Sequence, residues 1–336
     1  MRKVRWGVLG VATIATEKVI PAMQKSQLTE VIAIASRSLG KAREAAAGLR
    51  IPKAYGSYET LLNDPDVDAI YNPLPNHLHV SWSMKAAAAG KHVLCEKPIA
   101  LTATEARELI AARDRHGVLV QEAFMVRTHP QWLGARGIVR EGRIGELRAI
   151  QSSFSYFNAD PTNVRNIVDI GGGGIYDIGC YPITTSRFLF EEEPRRVFAL
   201  LERDPHLGTD RLASVILDFP RGQSIFVCST QLVPYQRAQI LGTRGRIEIE
   251  VPYNAPVDRP CRIFVDDGRD VLGTGIQTIA YDTVDQYTVE VDAFSRAILD
   301  RAPAPVPLED AIANMSVIDA VFRSAQSGRW EHPTAA

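Results

Sequence analysis

The chain has no CxxC pair and no histidine–cysteine cluster at metal-ligand spacing. Its four cysteines, Cys95, Cys180, Cys228 and Cys261, stand far apart. That spacing excludes a zinc ribbon and a disulfide scaffold and predicts four reduced, mostly buried thiols. No metal site is expected. No apolar run approaches the roughly 18 residues of a membrane span, and the opening MRKVRWGVLG passes into a strand pattern without a signal-peptide core. A cytoplasmic location is the expectation. An excess of either charge is also missing: 38 Lys plus Arg against 39 Asp plus Glu leave a net charge of -1. Such a balance offers no field to nucleic acid or to an anionic membrane, and neither is expected as a partner. There is no internal repeat and no low-complexity tract. What is present is an ordinary globular composition, 46% hydrophobic and 23% charged, in 336 residues, enough for two domains.

The first third alternates short apolar runs with amphipathic stretches. Runs at Val4 to Leu9, Val31 to Ala35, Ala69 to Tyr71, His92 to Cys95 and Val118 to Gln121 predict the parallel strands of a doubly wound sheet. Val80, Met84, Ala87 and Ala88 ahead of Gly90 mark one crossover helix, and the capping box Thr102–Glu105 opens another. From about Leu147 the pattern changes to alternating runs, at Leu147 to Phe157, Ala213 to Phe219, Ser224 to Gln231 and Ile247 to Val251, which predict antiparallel strands. Helices are predicted after the glycines at 171–174 and near Val289 to Leu299 and Leu308 to Phe322, and the Pro- and Gly-rich stretch around 252–275 reads either as a partner-facing hairpin or as a mobile excursion. The expected organisation is a doubly wound α/β domain over 1–124 and an α+β domain over 125–336.

Three clusters carry chemistry. GVLGVATIA at 7–15 follows the first strand and opens a helix. Gly10 allows the tight turn, and small residues at Ala12 and Ala15 let the backbone approach a pyrophosphate, although the string alone also reads as a plain small-residue strand-to-helix turn. The second strand ends in Ser36 and Arg37 where an acid would bind the ribose 2′-hydroxyl of NAD. A serine hydroxyl and a guanidinium suit the 2′-phosphate of NADP instead, although Arg37 also reads as a solvated surface arginine. The second cluster lies at the carboxyl edge of the sheet, where open α/β folds bind ligands: NPLPNHLH at 72–79 and CEKP at 95–98. A lysine there, Lys97, can lower the pKa of a substrate hydroxyl or a nearby phenol, or can be merely solvated. The third is GGGGIYDIGCYPI at 171–183, in which Asp177 and Tyr181 are four residues apart on one helical face. Core packing for Tyr181 and a helix-dipole role for Asp177 remain open on this pattern alone.

In this order, the clusters, with EAFMVRTHP at 122–130, resemble the glucose-fructose oxidoreductase, inositol dehydrogenase and rhizopine-catabolism (Gfo/Idh/MocA) family of NAD(P)-dependent oxidoreductases along essentially the whole chain. The tyrosine at 181 is similar to the branch containing NADP-dependent xylose dehydrogenases and dimeric dihydrodiol dehydrogenase, whereas Val126 stands where relatives often carry an aromatic residue. The resemblance implies an α/β Rossmann domain plus an α+β C-terminal domain built on a large, mostly antiparallel open sheet, whose exposed face makes a homodimer or homotetramer. It also implies a cis Lys97–Pro98 peptide, which costs little at an X-Pro bond.

For the site it implies Lys97, Tyr181 and Asp177 as catalytic residues. Gly10, Ala12, Thr13, Ile14, Ser36, Arg37, Leu74, Pro75, Asn76, His79, Glu96 and Lys97 would line the cofactor, NADP with NAD as the alternative. Arg165, Asn163 and His129 are candidate contacts to a sugar or polyol. The implied activity is hydride transfer between nicotinamide and a sugar carbinol, as in an aldose (xylose-type) 1-dehydrogenase. The alternatives are a sugar ketoreductase, a dihydrodiol dehydrogenase, and, in another class, a catalytically silent NADP-sensing regulator.

Overall fold

Val4–Leu9 buries Val4, Trp6, Val8 and Leu9 almost completely, a run that fits only a strand covered on both faces. In the computed structural model, which describes residues 2–334, this segment is β1 of a six-stranded parallel sheet with β2 (Thr29–Ala35), β3 (Lys53–Tyr55), β4 (Ala69–Asn72), β5 (His92–Glu96) and β6 (Val120–Ala123). The order is β3-β2-β1-β4-β5-β6. The sequence extends away from β1 in both directions, so the carboxyl ends of β1 and β4 flank the topological switch point. Strand β3 is absent from the sequence reading because its three residues are all half-buried and carry no apolar run. The crossover helix Ala103–His116 is capped as its sequence predicts: Thr102 Oγ1 accepts from the Glu105 amide at 3.1 Å, and the Glu105 carboxylate reaches back to the Leu101 amide.

Contacts divide the chain into two units, residues up to Met125 together with Asp285–Ile312, and Val126–Val284 together with Ala313 onward. The reading that carried the second domain from 125 to the end therefore needs correction. Helix Gln286–Asp300 turns Val291 and Phe294 into the core formed by Trp6, Ile20 and Met23. Trp6 donates to Ser295 Oγ at 3.3 Å, and its ring lies 6.0 Å from that of Phe294. Burying each of these large side chains contributes about 1.5–3 kcal/mol, which commits the helix to this unit.

The second unit is built on β7 (Leu147–Phe157), β8 (Arg196–Arg203), β9 (Asp210–Phe219), β10 (Gly222–Ser229), β11 (Gln231–Gly242), β12 (Arg246–Ile249), β13 (Cys261–Asp266) and β14 (Gln277–Tyr281). They form one sheet in the order β14-β13-β12-β11-β7-β10-β9-β8, antiparallel except where β7 meets β10. Within 252–275, strand β13 pairs antiparallel with β14, as the hairpin reading of that stretch has it. One face of the sheet is covered by helix Cys180–Phe190, every residue of which is buried. Along β10 the side chains alternate, with Ser224, Phe226 and Cys228 buried and Ile225 and Val227 exposed. Leu200 on β8 and Tyr235 on β11 are exposed as well. All four cysteines are free and buried. Among the described residues, no helix is long and apolar enough to cross a membrane.

Candidate active site

In the first unit the cofactor candidates gather at the carboxyl edge. Gly10 closes β1 with φ +87°, its amide donating to the Ala35 carbonyl at 2.7 Å, and a Cβ there would stand 3.0 Å from Leu74 Cδ2. Only glycine combines that backbone with that space. Ala12 and Ile14 are half-buried, Thr13 is exposed, and the following residues wind into a helix through a wide π-type turn over Ala15–Val19. At the end of β2, Ser36 is buried and accepts from the Ser38 amide at 3.3 Å, while Arg37 is exposed beside Tyr58. Burial raises the Tyr58 phenol, and the Arg37 charge works against that rise.

The loops after β4 and β5 are pinned from behind. Asn72 donates to the His79 carbonyl and to Ser83 Oγ, both at 3.1 Å, and accepts from the Leu74 amide at 3.3 Å. These bonds fix the turn that presents Leu74, Pro75 and Asn76. His79 lies wholly inside, with Nε2 at 2.6 Å from the Leu74 carbonyl and Nδ1 at 2.7 Å from the Pro98 carbonyl. Its ring therefore sits between the two loops instead of lining their lip, and as a neutral imidazole it donates to one of the two carbonyls. Burial pushes it down to about 4. Glu96 accepts the Tyr71 hydroxyl at 2.6 Å and the Lys97 amide at 3.3 Å, Lys97 is half-buried, and the Lys97–Pro98 peptide is cis. Glu122 accepts the Ile99 amide at 2.7 Å, so carboxylates hold the backbone on both sides of Lys97–Pro98. Burial, then Glu96 and Glu122, hold the acid of Glu290 well above the carboxylate range. The sequence reading names none of Tyr71, Asn72, Glu122 and Glu290 as a site residue. Asn72 begins the NPLPNHLH motif and was within reach of it, whereas Glu290 lies on a helix that carries no motif.

In the second unit, the glycine-rich segment leads into a wide turn over Ile175–Gly179 and then helix Cys180–Phe190. Asp177 accepts the Tyr156 hydroxyl at 2.5 Å through one oxygen and Arg165 Nε at 3.0 Å through the other. Tyr156, on β7, is a further residue that the sequence reading missed, since it falls in an ordinary alternating strand. Burial, followed by the Asp177 charge, pushes its phenol far above the ordinary range, so it stays protonated and donates. Tyr181 is nearly buried, its ring edge-on to Phe154 at 5.7 Å and 5.5 Å from Tyr253. Of the expected sugar contacts, Arg165 is exposed and paired with Asp177. Asn163 accepts the Arg165 amide at 3.0 Å and starts the turn that carries it. His129 is buried, caps helix Pro130–Arg140 through the Gln131 amide, and is pushed down to about 4 by burial.

This geometry is similar to that of known proteins throughout. Residues 4–124 match the Gfo/Idh/MocA oxidoreductase family model with an NAD-binding Rossmann fold, and residues 132–248 match the Gfo/Idh/MocA C-terminal domain. An uncharacterized oxidoreductase of Rhizobium meliloti is 48% identical over 332 residues, 98% of this chain and 99% of its own. An NADP(+)-dependent D-xylose 1-dehydrogenase of Haloferax volcanii is 38% identical over 96% of this chain and 98% of its own. Among solved structures, the 3-ketoreductase KijD10 of Actinomadura kijaniata, in complex with NADP and TDP-benzene, aligns with a TM-score of 0.89 at 29% identity, covering 96% of this chain and 98% of that one. The two matched domains and the full-length relatives make this chain an oxidoreductase of the Gfo/Idh/MocA family.

Proposed function

We propose that this chain is an NADP-dependent sugar dehydrogenase acting at the anomeric carbinol of an aldose, with ketosugar reduction as the second reading. The observation that carries it is the acid–base face of the second unit: a tyrosine, Tyr181, four residues from an aspartate, Asp177, held by both Tyr156 and Arg165. The NADP-dependent xylose dehydrogenase supports the first reading, and the NADP-bound ketoreductase favours the second.

The first unit fits the cofactor: a Cβ would fill the cradle at Gly10, and the end of β2 offers a buried hydroxyl and an exposed guanidinium with no carboxylate between them. The turn at Gly10, Ala12, Thr13 and Ile14 would hold the pyrophosphate, and Ser36 and Arg37 the 2′-phosphate. Leu74, Pro75, Asn76, Glu96 and Lys97 would border the nicotinamide end, with His79 between the loops. Bound NADP would accept or supply the hydride. In the oxidative direction Tyr181 takes the proton of the sugar hydroxyl, with Lys97 as the second proposed catalytic group. Asp177 and Arg165 orient the sugar, with Asn163 and His129 setting the backbone that carries this face. A sensor would need no such acid–base group.

The exposed row of Leu200, Ile225, Val227 and Tyr235 supports a homo-oligomer, because a contiguous apolar sheet face is otherwise left in water. Four free thiols fit a reducing cytoplasm. The test is a panel of aldopentoses, aldohexoses and trans-diols oxidised with NADP or NAD, and of ketosugars reduced with NADPH, followed by cofactor absorbance. Turnover of an aldose with NADP is expected. Turnover of ketosugars alone would move the assignment to the reductase, and no turnover with any polyol or ketosugar would favour the sensor.

A further inference from the structure

Two of the four glycines at 171–174, Gly173 and Gly174, close around one buried carboxylate. Asp210, the first residue of β9, is 2% exposed, and its Oδ2 accepts the Ile175 amide at 2.6 Å. A Cβ on Gly173, where φ is +126°, would lie 2.0 Å from Asp210 Oδ1, and one on Gly174 would lie 3.2 Å from the Asp210 carbonyl oxygen. The glycines at these positions are thus the complement of this side chain. From there the chain runs directly into the acid–base face. The Gly173 amide donates to the Arg165 carbonyl at 2.8 Å, and the Gly173 carbonyl accepts the Asp177 amide at 3.0 Å. One carboxylate therefore seats the turn whose two ends carry Arg165 and Asp177, and whose helix carries Tyr181.

We propose that Asp210 is a positioning residue for the reaction: ionised, it clamps the amides at the head of this helix and so sets where Asp177, Arg165 and Tyr181 stand. The inference rests on the reading of those three residues as the substrate face. Burial raises Asp210 to about 6, opposed by the amides it accepts and by the Arg203 charge on the neighbouring strand β8. Cys228 on β10 also faces it, and burial keeps that thiol neutral. Protonation removes the charge that grips the amides, so the clamp loosens as pH falls through that value.

Two measurements on the full-length chain test this. Asp210→Asn is assayed for turnover, for the Michaelis constant of the sugar, and for NADP binding by titration. A fall in kcat of about tenfold or more is expected, since displacing reacting groups by an ångström can cost about a hundredfold, while NADP affinity should stay within about twofold of wild type. The wild-type protein gives the second measurement without a variant. Amide exchange at residues 171–180, corrected for intrinsic rates, should become less protected below pH about 6, and should be weakly protected at every pH in Asp210→Asn. Protection independent of pH in both proteins would overturn the clamp. Exchange that responds as expected while Asp210→Asn keeps wild-type kcat would overturn the positioning role. Full turnover in Tyr181→Phe beside slow turnover in Asp210→Asn would remove Tyr181 from the mechanism and still support Asp210, acting through Asp177 and Arg165.

Discussion

Tyr156 and Asp177 meet across the second unit, phenol to carboxylate, at 2.5 Å, with Arg165 completing the grip on the other oxygen. The bond links the long central strand β7 to the wide turn that leads into the Tyr181 helix.

Tyr156→Phe keeps the ring and deletes the donor. A charge-assisted bond of this kind is worth about 1.5–3 kcal/mol, so kcat/KM for the sugar should fall about ten- to a hundredfold with NADP affinity unchanged. Steady-state kinetics and a cofactor titration check it. Unaltered kcat/KM would mean that Arg165 alone positions Asp177.

Arg37→Ala should separate the two cofactors. Loss of a guanidinium contact to the 2′-phosphate should weaken NADP by roughly ten- to a hundredfold and leave NAD almost untouched. Titration of both into the variant decides the matter, and equal weakening would argue against phosphate recognition.

How much of this could be read in advance depended on the range of the interaction. The Gly10 turn, CEKP and the Asp177–Tyr181 pair are legible because each is a local string whose residue types answer a local demand. For 252–275 the sequence left a hairpin and a mobile excursion both open, since CRIFVD sits between proline- and glycine-rich flanks that dominate the composition there. Asp210 reaches Ile175 from 35 residues away, and Glu290 lies among Glu96 and Glu122 from nearly the far end of the chain. Neither carboxylate stands in a motif. The same holds for helix Gln286–Asp300, whose apolar stripe says that it packs but not against which sheet.

The buried histidine His79 gives a pH dependence with a definite sign. Unfolded, it takes a proton near about 6.5; folded, only near about 4. Its contribution to stability is therefore complete above the first value and is lost as pH falls toward the second, by about 3 kcal/mol at most. Urea midpoints at pH 7 and pH 5 should differ less in His79→Gln than in wild type. An identical difference in the two proteins would place the titration elsewhere.

Replacing Val227 by Glu puts a charge in the middle of the exposed sheet face without touching the buried side of β10. If that face joins two copies, sedimentation should show the variant as a monomer with wild-type helix content, and the wild type as a dimer or tetramer. A monomeric wild type would rule out the contact.

The most direct test of the account is the turnover number of Tyr181→Phe, measured beside its melting temperature and its NADP affinity. The variant keeps the ring that packs against Phe154 and Tyr253 and loses the oxygen assigned to the proton. The account predicts a fall in kcat of about 10²–10⁴ with folding and cofactor binding preserved, and a similar fall for Lys97→Met with little further loss in the double variant. Retention of more than about a third of wild-type turnover, or a lowered melting temperature with normal kinetics in the folded fraction, would contradict it.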